Sequence, residues 1–268
     1  LGQDKERVEI LVQGIMRMAG TANNPIRFTT IDSTSGRGHW AGIILQNGGS
    51  GNSEISFVEM SGCSPYALYA DGPTPNLHDI SITYSENGMY LANIPQLPTL
   101  SDCHFDDIAS TAVTAVQCRR FDAANLDIRN SAIGMYFRPG TGEDRVTVRE
   151  CRIEAREEGI RGAFSRCGLT NLLMIVPEGI GIRFLAVGAT DQNIFDHCTI
   201  DAKVGIQVDT GVPKIENSLI SNITEKGTVG IRCLQAGNPQ FSYDNVFGFT
   251  TPYENCSAGL GTRAISPA

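Results

Sequence analysis

The sequence predicts an all-β protein, a right-handed parallel β-helix in which one chain winds short strands into coils of about 20–27 residues. A phrase of one small residue, one apolar residue, any residue and a second apolar residue returns about every 22 to 25 positions. Its copies begin at Gly88, Ala112, Gly134, Gly159, Gly181, Gly205 and Gly230. A repeat of this period built from short strands is typical of a solenoid, which presents the same outward position once in every coil.

Two apolar columns before this phrase set the predicted register. The first column is Ile82, Phe105, Ile128, Ile153, Ile175, Ile200, Ile220 and Phe247. The second lies two residues earlier and is Ile80, Cys103, Leu126, Cys151, Leu173, Cys198, Ser218 and Asn245. Because side chains alternate between the two faces of a strand, both columns are predicted to point inward and the residue between them outward.

A polar column precedes the second apolar column by one residue. Its members are Asp79, Asp102, Asn125, Glu150, His197, Asn217 and Asp244, with Leu172 as the exception. Short polar side chains at one corner suit a tight turn, because they bond to nearby backbone and asparagine tolerates left-handed φ. The column therefore predicts a ladder of turns and not a catalytic acid.

The remaining elements follow from local strand and turn signals. The first residues predict strands at 8–12, 16–20, 25–28 and 40–45, and regular coils run from 54 to about 247. Residues 250–268 carry few strand signals and are predicted to form a C-terminal cap or tail. Since no low-complexity linker divides the chain, residues 1–268 are predicted to be one β-helix domain, with further domains of the same precursor left open.

Composition excludes several classes of function. The net charge of −8 and the pI near 5.0 argue against nucleic acid as a partner, because phosphate binding favours a basic face. No apolar run approaches the ~18 residues of a membrane span. No CxxC spacing occurs among the 8 cysteines, so neither a structural metal nor a cofactor is predicted.

The cysteines are predicted to act as small buried hydrophobes in the inward column. Cys103, Cys151 and Cys198 lie two coils apart, near ~10 Å, which is beyond disulfide reach. Cys233 and Cys256 are the pair favoured if the chain contains a disulfide.

Both ends of the chain resemble a known family. Residues 20–30, 40–45 and 55–62 are similar to the opening of secreted bacterial right-handed parallel β-helix repeat proteins, the broad pectin-lyase-like group, and 242–248 resembles the segment that closes them. The resemblance implies export to the periplasm or cell exterior. The group contains polysaccharide lyases, glycoside hydrolases, epimerases and adhesins. The paired aspartates of polygalacturonase-like hydrolases and the calcium cluster of pectate lyases are absent, which argues against those two activities.

The third residue of the repeated phrase forms an outward column, which is the candidate site. Its members are Tyr90, Thr114, Tyr136, Arg161, Arg183, Gln207 and Arg232, with Leu68 as the position before Tyr90. Tyrosine rings stack on sugars and arginine forks hold carboxylates or sulfates. The predicted substrate-binding residues are Tyr90, Tyr136, Arg138, Arg161, Arg183, Gln207 and Arg232. Asp209, on the same face, is the candidate general base, with Arg183 as its catalytic partner.

Two functions stay open at this point. One is recognition or processing of an extracellular polysaccharide, by a lyase or hydrolase if the protein is an enzyme, with Glu158 and Glu178 near the column. The other is a non-catalytic structural or adhesive protein of the bacterial cell surface, whose outward column is an inert β-face with weak cross-strand ion pairs. A deep groove favours the first and a smooth face favours the second.

Overall fold

The computed structural model describes residues 7–29, 37–46, 53–72, 74–96, 99–140, 144–187, 193–223 and 227–265. These residues form strands joined by short turns and contain no helix, so the all-β prediction is confirmed. No helix that is long and apolar enough to cross a membrane occurs in these ranges. Every pairing between strands is parallel and joins one coil to the next, which confirms the β-helix.

The strands appear in the following order along the chain. They are β1 Val8–Val12, β2 Arg17–Ala19, β3 Ile26–Phe28, β4 Trp40–Leu45, β5 Glu54–Ser61, β6 Leu68–Asp71, β7 Asn76–Ser85, β8 Met89–Ala92, β9 Leu100–Ser101, β10 His104–Ile108, β11 Thr111–Val116, β12 Arg120–Ala124 and β13 Asp127–Arg138. They continue as β14 Arg145–Arg149, β15 Arg152–Phe164, β16 Arg166–Thr170, β17 Leu173–Ala186, β18 Asn193–Asp196, β19 Thr199–Gly211, β20 Lys214–Glu216, β21 Leu219–Ser221, β22 Gly227–Gly237, β23 Gln240–Ser242, β24 Asn245–Phe247, β25 Phe249–Glu254 and β26 Arg263–Ile265.

The strands stack into three faces, and the longest strands bend at a corner so that their halves belong to two faces. Face A contains β3, the ends of β5 and β7, β10, the starts of β13, β15, β17 and β19, and then β21, β24 and β26. Face B contains β1, β4, β6, β8, β11, the ends of β13, β15, β17 and β19, and then β22 and β25. Face C contains β2, the starts of β5 and β7, and then β9, β12, β14, β16, β18, β20 and β23.

The core is a continuous apolar filling between these faces. Its middle is a run of phenylalanine rings, Phe121, Phe137, Phe164, Phe184 and Phe195, with successive ring centroids 5.2, 5.6, 5.5 and 5.5 Å apart. All five side chains are buried. Aromatic pairs at this spacing add about 0.5–1.5 kcal/mol beyond the area they bury, so the run stabilises the central coils.

The predicted inward register is correct at most coils and wrong by one residue at two. Met174 and Val246 are buried in place of Ile175 and Phe247. In the second column Leu172 and Asp244 likewise replace Leu173 and Asn245. The cause is that apolar residues stand next to one another at both coils, as in Leu173-Met174-Ile175, so the alternation of apolar and polar residues does not fix the phase.

The corrected register also removes the exception from the polar corner column. The corner residues have left-handed φ and are Asp79, Asp102, Asn125, Glu150, Asn171, His197, Asn217 and Tyr243, with φ between 51° and 60°. Leu172 and Asp244, predicted here, point inward instead. Asn125 donates to the Asp102 carboxylate at 3.2 Å and Asn217 to the Asp196 carboxylate at 3.0 Å, so the ladder of turns is confirmed.

The cysteine prediction is confirmed for the three thiols of the inward column. Cys103, Cys151 and Cys198 are free and buried, and burial raises the pKa of Cys151 to about 11 and of the other two to about 12. Cys233 and Cys256 are also free thiols, and the Cys256 thiol lies 3.5 Å from the Glu254 carbonyl oxygen, to which it donates. Interaction with the Cys233 thiol lowers the pKa of Cys256 and opposes the effect of its burial.

Candidate binding face

The predicted outward column is a continuous row along face B, here called the strip. Its members are Tyr69, Tyr90, Thr114, Tyr136, Arg161, Arg183, Gln207, Arg232 and Glu254. Leu68 was the wrong first member, because it is fully buried and Tyr69 pairs with Tyr90. Eight steps of about 4.8 Å give the strip a length of about 38 Å.

The small first residue of the repeated phrase allows the coils to stack closely behind the strip. A Cβ added at Gly181 would lie 2.3 Å from the Ile200 side chain and 2.6 Å from the Gly205 carbonyl oxygen. Contacts this short force the next coil away, so a larger residue at this position would break the row. The repeat in the sequence therefore fixes the spacing of the strip.

The N-terminal end of the strip is aromatic. The Tyr69 and Tyr90 rings stack at 5.0 Å with an angle of 5° between their planes, and Tyr66 lies 5.0 Å from Tyr90. All three side chains are partly exposed. Burial and the nearby Asp71 carboxylate raise the pKa of Tyr69 to about 12.

Sequence reasoning did not include Tyr66 or Tyr69 in the site. The signal was present for Tyr69, since Ala67-Leu68-Tyr69-Ala70 is a further copy of the phrase with alanine first. Tyr66 lies before that copy and its place depends on the turn between β5 and β6, which the repeat does not predict.

The centre of the strip is a charged network around Arg183. Its guanidinium lies 3.2 Å from the Asp209 carboxylate and 3.5 Å from the Glu158 carboxylate. Arg161 also lies 3.5 Å from Glu158, and its guanidinium lies over the Tyr136 ring at 5.9 Å from the centroid. Two arginines thus share one nearly buried carboxylate.

Asp209 reaches the strip through a bulge. Face B pairs Phe184 with Val208 and then Leu185 with Thr210, which leaves Asp209 as the extra residue. Its two oxygens accept hydrogen bonds from Gln207 at 2.7 Å and from Arg183 at 3.2 Å. A general base must be free to accept a proton, so Asp209 would first have to release Arg183 to a substrate anion.

Arg183 stays protonated in this setting. Partial burial lowers its pKa, but the hydrogen bond and charge of Asp209 and the charge of Glu158 raise it more, so the pKa lies above its usual value. A cation fixed between two carboxylates can hold or polarise an anionic group but cannot accept a proton. Within the predicted catalytic pair, Arg183 is therefore suited to charge stabilisation and Asp209 to proton transfer.

Glu158 is held beside the strip by β15. Residues 154–158 lie within this strand, and the Glu158 side chain is only 11% exposed. The residue directly precedes Gly159 of the phrase and so lies beside the strip. Glu178, by contrast, is 77% exposed and faces Lys203 at 3.8 Å, away from this network.

A cavity of about 180 Å³ opens beside the network. Its lining includes Tyr136, Arg161, Gly162, Arg183, Leu185 and Asp209. Enclosed small-molecule sites commonly measure about 300–1,000 Å³, so this cavity suits one group of a larger ligand.

Arg138, the remaining residue predicted to bind substrate, is exposed at the end of β13.

The rest of the strip is more enclosed. Thr114 and Gln207 are buried between their neighbours. Arg232 is paired with Glu254 at 2.5 Å. In the described ranges, no group of three or more histidine, cysteine or acidic side chains is placed to hold a metal ion.

No protein-family model, curated protein or solved structure matches this chain. The geometry of the strip is therefore the basis on which a function is proposed.

Proposed function

We propose that the protein binds an acidic polysaccharide along the strip of face B. The observation that carries the proposal is the continuous row itself, in which stacked tyrosines lead into the paired arginines around the 180 Å³ cavity. Two coils nearly match the length of a sugar dimer, so successive sugars would meet successive side chains. Tyrosine faces suit sugar rings, and the forks of Arg161 and Arg183 suit carboxylates or sulfates.

A substrate anion would compete with protein carboxylates for these arginines. Arg161 and Arg183 keep 46% and 37% of their side chains exposed, so an incoming anion reaches them without opening the core. When such an anion takes Arg183, the Asp209 carboxylate is released from its hydrogen bond and is free to accept a proton. A lyase or hydrolase in which Asp209 acts as base is therefore the enzymatic form of the proposal.

Membership in the pectin-lyase-like group and export to the bacterial cell surface are part of the same proposal. The parallel β-helix and the resemblance at both ends of the sequence support them. Further domains of the precursor would place the strip on a surface or on its substrate.

A non-catalytic structural or adhesive role is the second candidate. It is favoured by the compensation of charge along the strip, where Arg183 lies between Glu158 and Asp209 and Arg232 is paired with Glu254. The small volume of the cavity also favours it.

A panel of acidic and neutral polysaccharides tests both forms. Binding is measured by affinity electrophoresis, and cleavage by new reducing ends and by absorbance of unsaturated products. Binding of at least one acidic polymer is expected, and binding of none would refute the proposal. If a polymer is cleaved, Asp209→Asn should abolish cleavage and keep binding, whereas Asp127→Asn on face A should change neither. Binding without cleavage by the wild type selects the second candidate.

A further inference from the structure

Face C carries a row of arginines that the strip does not explain. Arg120 of β12 pairs in register with Arg145 of β14, and Arg145 pairs with Arg166 of β16. All three are exposed, while the residues that follow them, Phe121, Val146 and Cys167, are buried. The three side chains therefore project from face C at the same strand position on three successive coils. Neighbouring side chains in the row are about 4.8 Å apart.

The row lacks the compensation found on face B. Arg120 is paired with Asp122 at 2.9 Å, but neither Arg145 nor Arg166 has an ion pair with any residue in the described ranges. Arg161 and Arg183 of the strip, which occupy adjacent coils in the same way, share the Glu158 carboxylate. The two rows have the same geometry, but among the described residues Arg145 and Arg166 of the face C row have no carboxylate partner, so an external anion does not have to displace one.

Uncompensated like charges on neighbouring strands are unfavourable for folding. Their presence in a chain of net charge −8 concentrates positive potential at one place on an otherwise acidic molecule. Guanidinium forks bind carboxylates and sulfates through two parallel hydrogen bonds. A row with one fork per coil matches a ligand whose anionic groups repeat about every 5 or 10 Å.

We propose that Arg120, Arg145 and Arg166 form a second binding row, on face C, for a linear polysaccharide that carries carboxylate or sulfate groups. The guanidinium groups of Arg145 and Arg166 bind anionic groups of the ligand directly. Arg120 binds the ligand after an anionic group replaces the Asp122 carboxylate as its partner. The row lies on a different face from the strip, so its function does not depend on that of the strip.

Binding of polygalacturonate and of dextran sulfate, measured by biolayer interferometry, tests the proposal. Arg145→Gln/Arg166→Gln removes the two open forks, and Arg129→Gln/Arg152→Gln on face A removes the same charge elsewhere. The face C variant should lose about tenfold or more in affinity for at least one polymer, and the face A control should stay within about twofold. The wild-type affinity should fall as ionic strength rises to about 0.15 M.

Four results would overturn the proposal. They are unchanged affinity in the face C variant, an equal loss in the face A control, absence of binding to both polymers, and equal affinity for duplex DNA. Arg145→Lys/Arg166→Lys keeps the charge and removes the forks, so it should bind more weakly than the wild type and more tightly than the glutamine variant. Tyr136→Ala/Arg161→Ala distinguishes the two sites, because it alters the strip and leaves the face C row intact.

Discussion

Asp244→Asn should make the protein more stable at neutral pH, by an amount that grows with pH. The Asp244 side chain is 1% exposed, one oxygen accepts the Ser218 backbone N–H at 2.9 Å, and the other oxygen has no partner among the described residues. Burial raises its pKa to about 7, from an ordinary value of 3.8. Asparagine keeps the accepting oxygen and cannot ionise.

The sign and size follow from proton linkage. A carboxyl whose pKa is raised on folding contributes its stability fully below the unfolded pKa of 3.8, and that stability is lost as the pH rises to about 7. Each pKa unit corresponds to about 1.4 kcal/mol, so a pKa of about 7 in the folded protein against 3.8 in the unfolded chain corresponds to about 4 kcal/mol. The variant should therefore match the wild type near pH 4 and exceed it by up to about 4 kcal/mol at pH 8.

Urea unfolding of both proteins between pH 4 and 8, followed by circular dichroism, measures this difference. Asp102→Asn is the control, because the exposed Asp102 carboxylate lies on the corner and not in the core. A difference between Asp244→Asn and wild type that is the same at every pH would refute the reasoning.

Three further predictions concern the core, the strip and the C-terminal end. The three thiols of the inward column should resist labelling until the protein is denatured, whereas the half-buried Cys256 reacts first; rapid native labelling of all three would contradict the register. Tyr136→Ala/Arg161→Ala should weaken binding of an identified glycan about tenfold or more with an unchanged melting temperature, and unaltered affinity would place the site off the strip. Deleting 250–268 removes most of β25 and all of β26, which pair with the preceding coil, and should cause aggregation or clear loss of thermal stability. A soluble deletion product of equal stability would show that this segment is a tail.

The β-helix was predictable because its periodic residues are constrained by stacking. Gly181 has no room for a side chain, and Asn125 and Asn217 occupy corners with left-handed φ. The recurring small residue and the recurring polar corner residue can therefore both be recognised in a single sequence. The prediction of which residues point inward was wrong by one residue where neighbouring residues of a strand are both apolar, as at Met174. The same error placed Asp244 on the corner. A displacement of the register by one residue decides whether its carboxyl lies on the corner or in the core.

The candidate site was predictable only as a column. The in-register rows of Tyr136, Arg161 and Arg183 follow from the repeat. The pairing of Arg183 with Glu158 and Asp209 does not, because the bulge at Asp209 is a departure from the repeat and Glu158 lies outside the repeated phrase. Such departures depend on packing between coils, which no single stretch of sequence contains.

The dependence of affinity on oligosaccharide length tests most directly whether the strip binds a linear glycan. Acidic oligosaccharides of increasing length are titrated into the wild type and into Tyr136→Ala/Arg161→Ala by calorimetry. A strip of about 38 Å predicts that wild-type affinity rises with each added dimer up to about eight sugars, and that the variant loses most of this gain. An affinity that is already maximal for one dimer, or equal length dependence in the variant, would contradict the account.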